Sequence, residues 1–184
     1  MKAVLISIQP KWCELIASGK KTVEVRKTKP KLETPFKVYI YCTANKQGTK
    51  DLLEIHGTDG KIRKANGKVI GEFVCDAIFP MSIKYSNPES KLALKEFPFT
   101  CLTDKQIIDY LGNGKEGYGW HISNLVIYDK PRELSEFKKH NRTCYYDHLG
   151  LATPRCKDCK GCQVTRPPQS WCYVESEAVS NETR

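Results

Sequence analysis

The sequence predicts an α+β fold, mainly β: a small barrel with two short helices, followed by a cysteine-rich extension. Three observations predict it. Segments with strand character outnumber those with helical periodicity. Both helical segments are short and carry their own start and stop residues. After residue 137 the composition shifts abruptly to Lys, Cys, Gly, Pro and Asp. Short helices among many strands exclude a doubly wound α/β sheet. With 184 residues the chain is one domain with some length left over, enough to bury a core without disulfides. Its 40% hydrophobic and 28% charged content belongs to a folded protein and not to a disordered one.

The elements follow in order. Residues 2–7 form an apolar β run that closes at Gln9 and Pro10. Pro10 suits the first turn of a helix. Trp12, Leu15 and Ile16 recur at helical spacing beside Cys13, which places Trp12 in the core, and Gly19 stops the helix after residue 18. Residues 22–27 (TVEVRK) alternate strictly, with Val23 and Val25 inward and Thr22, Glu24 and Arg26 on the opposite face. Residues 36–43 are a strand with Val38, Ile40 and Cys42 on one side. Residues 44–65 read as a long loop or hairpin, and 68–79 as a longer strand with a bulge expected at Gly71. Residues 80–102 are irregular. Thr103 followed by Gln106 is a capping-box pattern, so 103–111 is a helix, ended by Gly112. Residues 118–128 (YGWHISNLVIY) are one strong strand. Three units result: a barrel domain over 1–137, a cysteine-rich extension over 138–176 and a flexible tail over 177–184.

Thirty Lys and Arg against 21 Asp and Glu give a net charge of +9. In residues 1–33, Lys2, Lys11, Lys20, Lys21, Arg26, Lys27, Lys29 and Lys31 face only Glu14, Glu24 and Glu33. Residues 138–171 are also basic. Such a surplus favours polyanionic partners, with plain solubility as the alternative. No apolar run approaches the ~20 residues of a membrane span, and MKAVLISIQPKW is too short in apolar residues for a signal peptide. The expected location is cytoplasmic, without membrane contact.

Residues 19–26 read G-K-K-T-V-E-V-R, directly after SIQPKWCELIAS. With the later GEFVCD and YGWHISNLVIY segments, this stretch resembles the ASCH domain, whose signature G-x-K-x-x-E-x-R is matched by Gly19, Lys21, Glu24 and Arg26. The resemblance covers roughly residues 1–137. It implies a PUA-like β-barrel whose relatives bind RNA or read modified bases, and a few of which are enzymes. The longer chain, ending RPPQSWCYVE, resembles ASCH proteins of prophages.

The chemistry of these residues is compatible with that implication. Lys21 and Arg26 can neutralise phosphates, and an arginine can fork onto a base edge. Trp12 and Trp120 are flat enough to stack a base; Trp120, in a β run, suits core or cleft equally. Glu24 can read a base, act as a general base, or form half of an ion pair. The expected ligand set is Lys20, Lys21, Thr22, Glu24, Arg26 and Trp120. In the acylcytidine-hydrolysing branch of the family, a Lys is followed three positions later by a Thr nucleophile, with a distant Glu. Here Lys21 matches, Glu24 occupies the Thr position and Thr22 is two residues out of place, so a hydrolase would have to work with Lys21 and Glu24, with Glu72 as acid or base only if it faced the same cleft.

Of nine cysteines, Cys13, Cys42, Cys75 and Cys101 are scattered among apolar residues and read as buried thiols. Cys144, Cys156, Cys159, Cys162 and Cys172 cluster. In a chain without a secretory leader this favours metal over disulfides. C-x2-C followed by Gly161 is how a zinc knuckle is built, and a closed tetrahedral site would take four of these five sulfurs. The leading reading is a barrel with a structural zinc in its extension, binding RNA or single-stranded nucleic acid, a modified base among its ligands. The alternatives are a hydrolase acting on a modified nucleoside or RNA, and an adaptor whose zinc module docks a protein.

Overall fold

The computed structural model describes residues 1–44, 52–82, 99–140 and 162–176. In chain order these form β1 (Lys2–Ile8), α1 (Pro10–Ala17), β2 (Val23–Arg26), β3 (Phe36–Cys42), β4 (Glu54–His56), β5 (Ile62–Lys64), β6 (Val69–Cys75), β7 (Ile78–Ser82), α2 (Asp104–Leu111), β8 (Glu116–His121), β9 (Ser123–Arg132) and β10 (Trp171–Glu175). The expected mainly-β fold with two short helices is present.

The opening apolar run is a strand buried on both faces. β1 pairs in parallel with β3 and antiparallel with β10, in a five-stranded sheet of order β10-β1-β3-β6-β9. Val4, Ile6 and Ile8 point into the main core with α1, while Ala3 and Leu5 point into a second core on the other face. A strand covered on both sides reads as continuous hydrophobicity and not as alternation. β3 divides the same way, with Phe36, Val38, Ile40 and Cys42 on the main-core side and Tyr39 and Tyr41 on the other.

Two segments expected to be single long strands each serve two sheets. The 68–79 strand breaks at Asp76–Ala77 into β6, in the large sheet, and β7, in a three-stranded sheet of order β2-β8-β7. The 118–128 strand breaks at Ile122 into β8 and β9, followed by Asn124 at φ +47°, a left-handed conformation that asparagine tolerates. His121 Nδ1 lies 2.6 Å from Asp76 Oδ1, linking the two corners. Part of the expected 44–65 excursion is the β4–β5 hairpin, and Ile40/Tyr41 in β3 marks a register shift opposite Gly71.

The expected closed barrel is corrected: among the described residues no ladder joins an edge of the large sheet to an edge of the small one. The chain turns two corners between the sheets, and the edge of β1 is taken by β10. That pairing also changes the picture of the 138–176 extension. Val164, Cys172 and Val174 pack with Phe137, Tyr39 and Leu5 in the second core, so the described end of the extension is built into the sheet. Among the described residues no helix is long and apolar enough to cross a membrane.

Candidate functional site

Local sequence sets up the site. Pro10 stands at the first turn of α1, and the helix stops at Ser18 and Gly19, the latter at φ +72°. The backbone N–H of Lys21 then donates to Leu15 O at 2.9 Å, bringing the chain back under the helix and into β2. Alternation in β2 sends Val25 toward Met81, Ile107 and Leu111 and leaves Glu24 and Arg26 on the opposite side. The surprise is burial: Lys21, Glu24 and Arg26 are only 2%, 7% and 7% exposed.

These three side chains form one ion-pair group. Lys21 Nζ lies 3.4 Å from Glu24 Oε2, and Arg26 NH2 lies 2.9 Å from Glu24 Oε1. Lys21 Nζ also donates to Val23 O and Thr100 O, both at 2.7 Å. Arg26 NH2 donates to Ser7 O at 2.7 Å, and NH1 reaches Ser170 Oγ at 3.5 Å. Arg26 Nε is buried and, among the described residues, has no hydrogen-bond partner. The group carries two positive charges and one negative.

The triad lines a cleft of about 760 Å³, within the size range of small-ligand pockets. One wall is the end of β1 and the start of α1, including Trp12; another is α2, through Gln106, Asp109 and Tyr110. Pro167, Pro168 and Gln169 supply a third wall, tied down by Ser7 Oγ donating to Pro168 O at 2.7 Å. Sequence reasoning missed this last wall entirely, because its residues lie far beyond the motif. The α2 wall had a readable signal: Gln106, Asp109 and Tyr110, at i, i+3 and i+4, share one side of the helix, beside the stripe of Ile107 and Leu111.

The other expected site residues fall as follows. Lys20 is exposed and Thr22 half-buried, and neither lines the cleft. Trp120 is fully buried, edge-on to Phe36 with centroids 6.0 Å apart, and is not on the cleft wall. Trp12, placed in the core by its spacing, is half-buried and packs against the main core, and it lines the cleft as well, with Lys11 Nζ 4.5 Å from its ring centroid. Glu72 faces the other side of the large sheet, held by Lys37 Nζ at 2.7 Å and the Tyr128 hydroxyl at 2.6 Å. Burial, then the Glu72 carboxylate, pushes that hydroxyl well above the ordinary tyrosine range.

Of the four thiols expected to be buried, Cys13, Cys42 and Cys75 are, whereas Cys101 is exposed, on the irregular segment ahead of α2. Burial, reinforced by a hydrogen bond with Cys42, raises the Cys13 thiol well above the ordinary value, and burial lifts Cys75 to about 12. Of the clustered cysteines, Cys144, Cys156 and Cys159 lie outside the described residues. Cys162 is buried, and Cys172, half-buried on β10, packs against the second core, which raises its thiol as well. Among the described residues no group of three or more His, Cys, Asp or Glu is placed to hold a metal ion.

Comparisons with known proteins agree on one family. A crystal structure of ASCH from Zymomonas mobilis matches with a TM-score of 0.56 at 18% identity, covering 94% of this chain and 87% of that one. Two mutants of that protein match with the same score and identity, covering 95% and 94% of this chain. No curated protein matches. At this identity the likeness is one of fold. The ASCH domain model itself matches residues 6–105, a span that holds the whole triad and more than half of the 184 residues, and the chain therefore belongs to the ASCH domain family.

Proposed function

We propose that the cleft binds single-stranded nucleic acid, RNA foremost, by taking one nucleotide against Glu24 and Arg26. The observation that carries this reading is the buried triad, with its surplus positive charge and the unpartnered Nε of Arg26. A buried donor left unpaired costs about 1–3 kcal/mol, which a ligand acceptor would recover. Each Glu24 oxygen faces one cation of the group and keeps lone pairs for a ligand donor. An acceptor beside a donor complements the edge of a base that shows an amino group next to a ring nitrogen, as cytosine and adenine do. Trp12 and Tyr110, both lining the cleft, offer flat faces for stacking.

Lys21 takes a different part from the phosphate contact expected of it. Its ammonium has three protons to donate and three acceptors around it, so it holds Glu24 in place. A hydrolase would need Lys21 to reach the reacting group of its substrate, whereas its nitrogen is turned onto Val23 O, Thr100 O and Glu24. This geometry supports binding over hydrolysis. For the extension we propose a structural zinc on Cys144, Cys156, Cys159 and Cys162, since Cys172 is packed as an apolar residue in the second core.

The test is titration of labelled single-stranded RNA homopolymers and the matching DNAs with wild type, Glu24→Gln and Arg26→Lys. The expected result is salt-sensitive binding by wild type, with base preference relaxed by about 1–3 kcal/mol in Arg26→Lys. Binding that is absent in folded wild type, or indifferent to both substitutions, overturns the reading.

A further inference from the structure

We propose that the loop leaving the cleft, residues 27–31, is a second contact surface for the same strand, so that the ligand is an oligonucleotide and not a lone nucleoside. This rests on the nucleic-acid reading of the cleft. The loop begins at the residue after Arg26 and exposes Lys27, Lys29 and Lys31 while burying Pro30. It is anchored twice to β10: Trp171 Nε1 donates to Thr28 Oγ1 at 3.1 Å, and the backbone N–H of Lys31 donates to the Tyr173 hydroxyl at 2.7 Å. A lysine run that served only solubility would need no such anchoring.

Two of these lysines sit beside aromatic rings, one of them on the cleft wall. Lys27 Nζ lies 5.3 Å from the ring centroid of Tyr110, which lines the cleft wall. Lys29 Nζ lies 5.3 Å from that of Tyr118, the residue paired with Arg26 across the small sheet. Among the described residues none of Lys27, Lys29 and Lys31 forms an ion pair with a carboxylate. Each nucleotide of a single strand brings a flat base and a phosphate, and each lysine–tyrosine pair presents a flat face and a charge. An exposed cation–π contact is weaker than a base–aromatic stack, so an incoming base displaces the ammonium from the ring and leaves it for the neighbouring phosphate. The surface therefore fits the nucleotides flanking the one held in the cleft.

The experiment compares a mixed-sequence RNA trimer with a decamer, each titrated at several salt concentrations. The proteins are wild type, Arg26→Lys and the triple variant Lys27→Ala, Lys29→Ala, Lys31→Ala. The three lysines are exposed, and thermal melting confirms that the variant is folded. Wild type is expected to bind the decamer about 10-fold or more tighter than the trimer. The triple variant should lose most of that gain, keep its trimer affinity, and show a slope of log K against log salt shallower by about 2, at roughly 0.7 per lost phosphate contact. Equal affinity for both lengths, or an unchanged decamer affinity in the triple variant, overturns the second surface. If Arg26→Lys still weakens the trimer in that case, the cleft reading stands. Failure of folded wild type to bind either length overturns both.

Discussion

The Lys21 ammonium lies within 2.7 Å of two carbonyl oxygens and 3.4 Å of Glu24. Lys21→Ala would leave those carbonyls without a donor and Glu24 with Arg26 alone. Breaking a buried ion pair from one side costs about 3–5 kcal/mol, so the variant should lose stability of that order in urea unfolding. Unchanged stability with a flatter salt dependence of RNA binding would instead put Lys21 on phosphate. Cys75 yields a second prediction, with a definite sign. Its unfolded thiol ionises near 9.0, whereas burial holds the folded one protonated up to about 12. Between those values the unfolded chain binds fewer protons, so the stability from this group is full below pH 9 and is lost as pH rises toward 12. Urea midpoints from pH 7 to 10.5 should fall more steeply in wild type than in Cys75→Ala, and parallel curves would show that Cys75 titrates normally. The motif spacing revealed that Lys21, Glu24 and Arg26 belong together. It could not reveal that the group is buried, because the acceptors of Lys21 include Thr100 O, from a distant part of the chain.

At the scale of elements, α2 is the clearest case of a locally encoded structure with a distant consequence. Thr103 Oγ1 accepts from the Gln106 N–H at 3.3 Å, and Gln106 Oε1 accepts from the Thr103 N–H at 2.9 Å. This capping box is legible in the sequence. Thr103→Ala should cost about 1 kcal/mol, measured by chemical denaturation, and should weaken RNA binding as well, because Gln106 also lines the cleft. A stability loss with intact binding would separate the cap from the cleft. For the extension, the expected zinc content is about one ion per chain. Cys159→Ser should abolish it and Cys172→Ser should not; elemental analysis of protein purified without chelator checks both. A wild type without zinc would refute the metal site. The sheet-switching segments show what periodicity leaves out. Residues 68–79 and 118–128 keep strand character through a corner, because alternation reports which side faces apolar neighbours and not which sheet the backbone joins.

For the whole molecule, β10 is the decisive piece. It supplies an edge of the large sheet through five paired positions with β1, from Lys2↔Glu175 to Ile6↔Trp171. It also covers the second core with Val174 and places Ser170 against Arg26. A chain ending at residue 169 should therefore lose cooperative unfolding, whereas one ending at residue 176 should melt like the full chain. Differential scanning calorimetry distinguishes them, and an unchanged transition in the shorter chain would mean that the barrel region folds without β10. The +9 net charge acts at this scale too, raising association rates with polyanions in a salt-dependent way.

By itself the sequence determined the mainly-β class, the two short helices with their stops, which side chains share a face of β2 and β3, and the Lys21–Glu24–Arg26 grouping. All of these are local: hydrophobic periodicity, caps and motif spacing act within a few residues. Tertiary structure decided the rest. It left the expected barrel open among the described residues, split two strands at corners, set Trp12 on the cleft wall as well as against the core, buried Trp120, and closed the cleft with Pro167–Gln169. Each of those outcomes depends on which distant segments meet. The Arg26–Ser170 contact spans 144 positions, a separation at which no local pattern records which residues will come together.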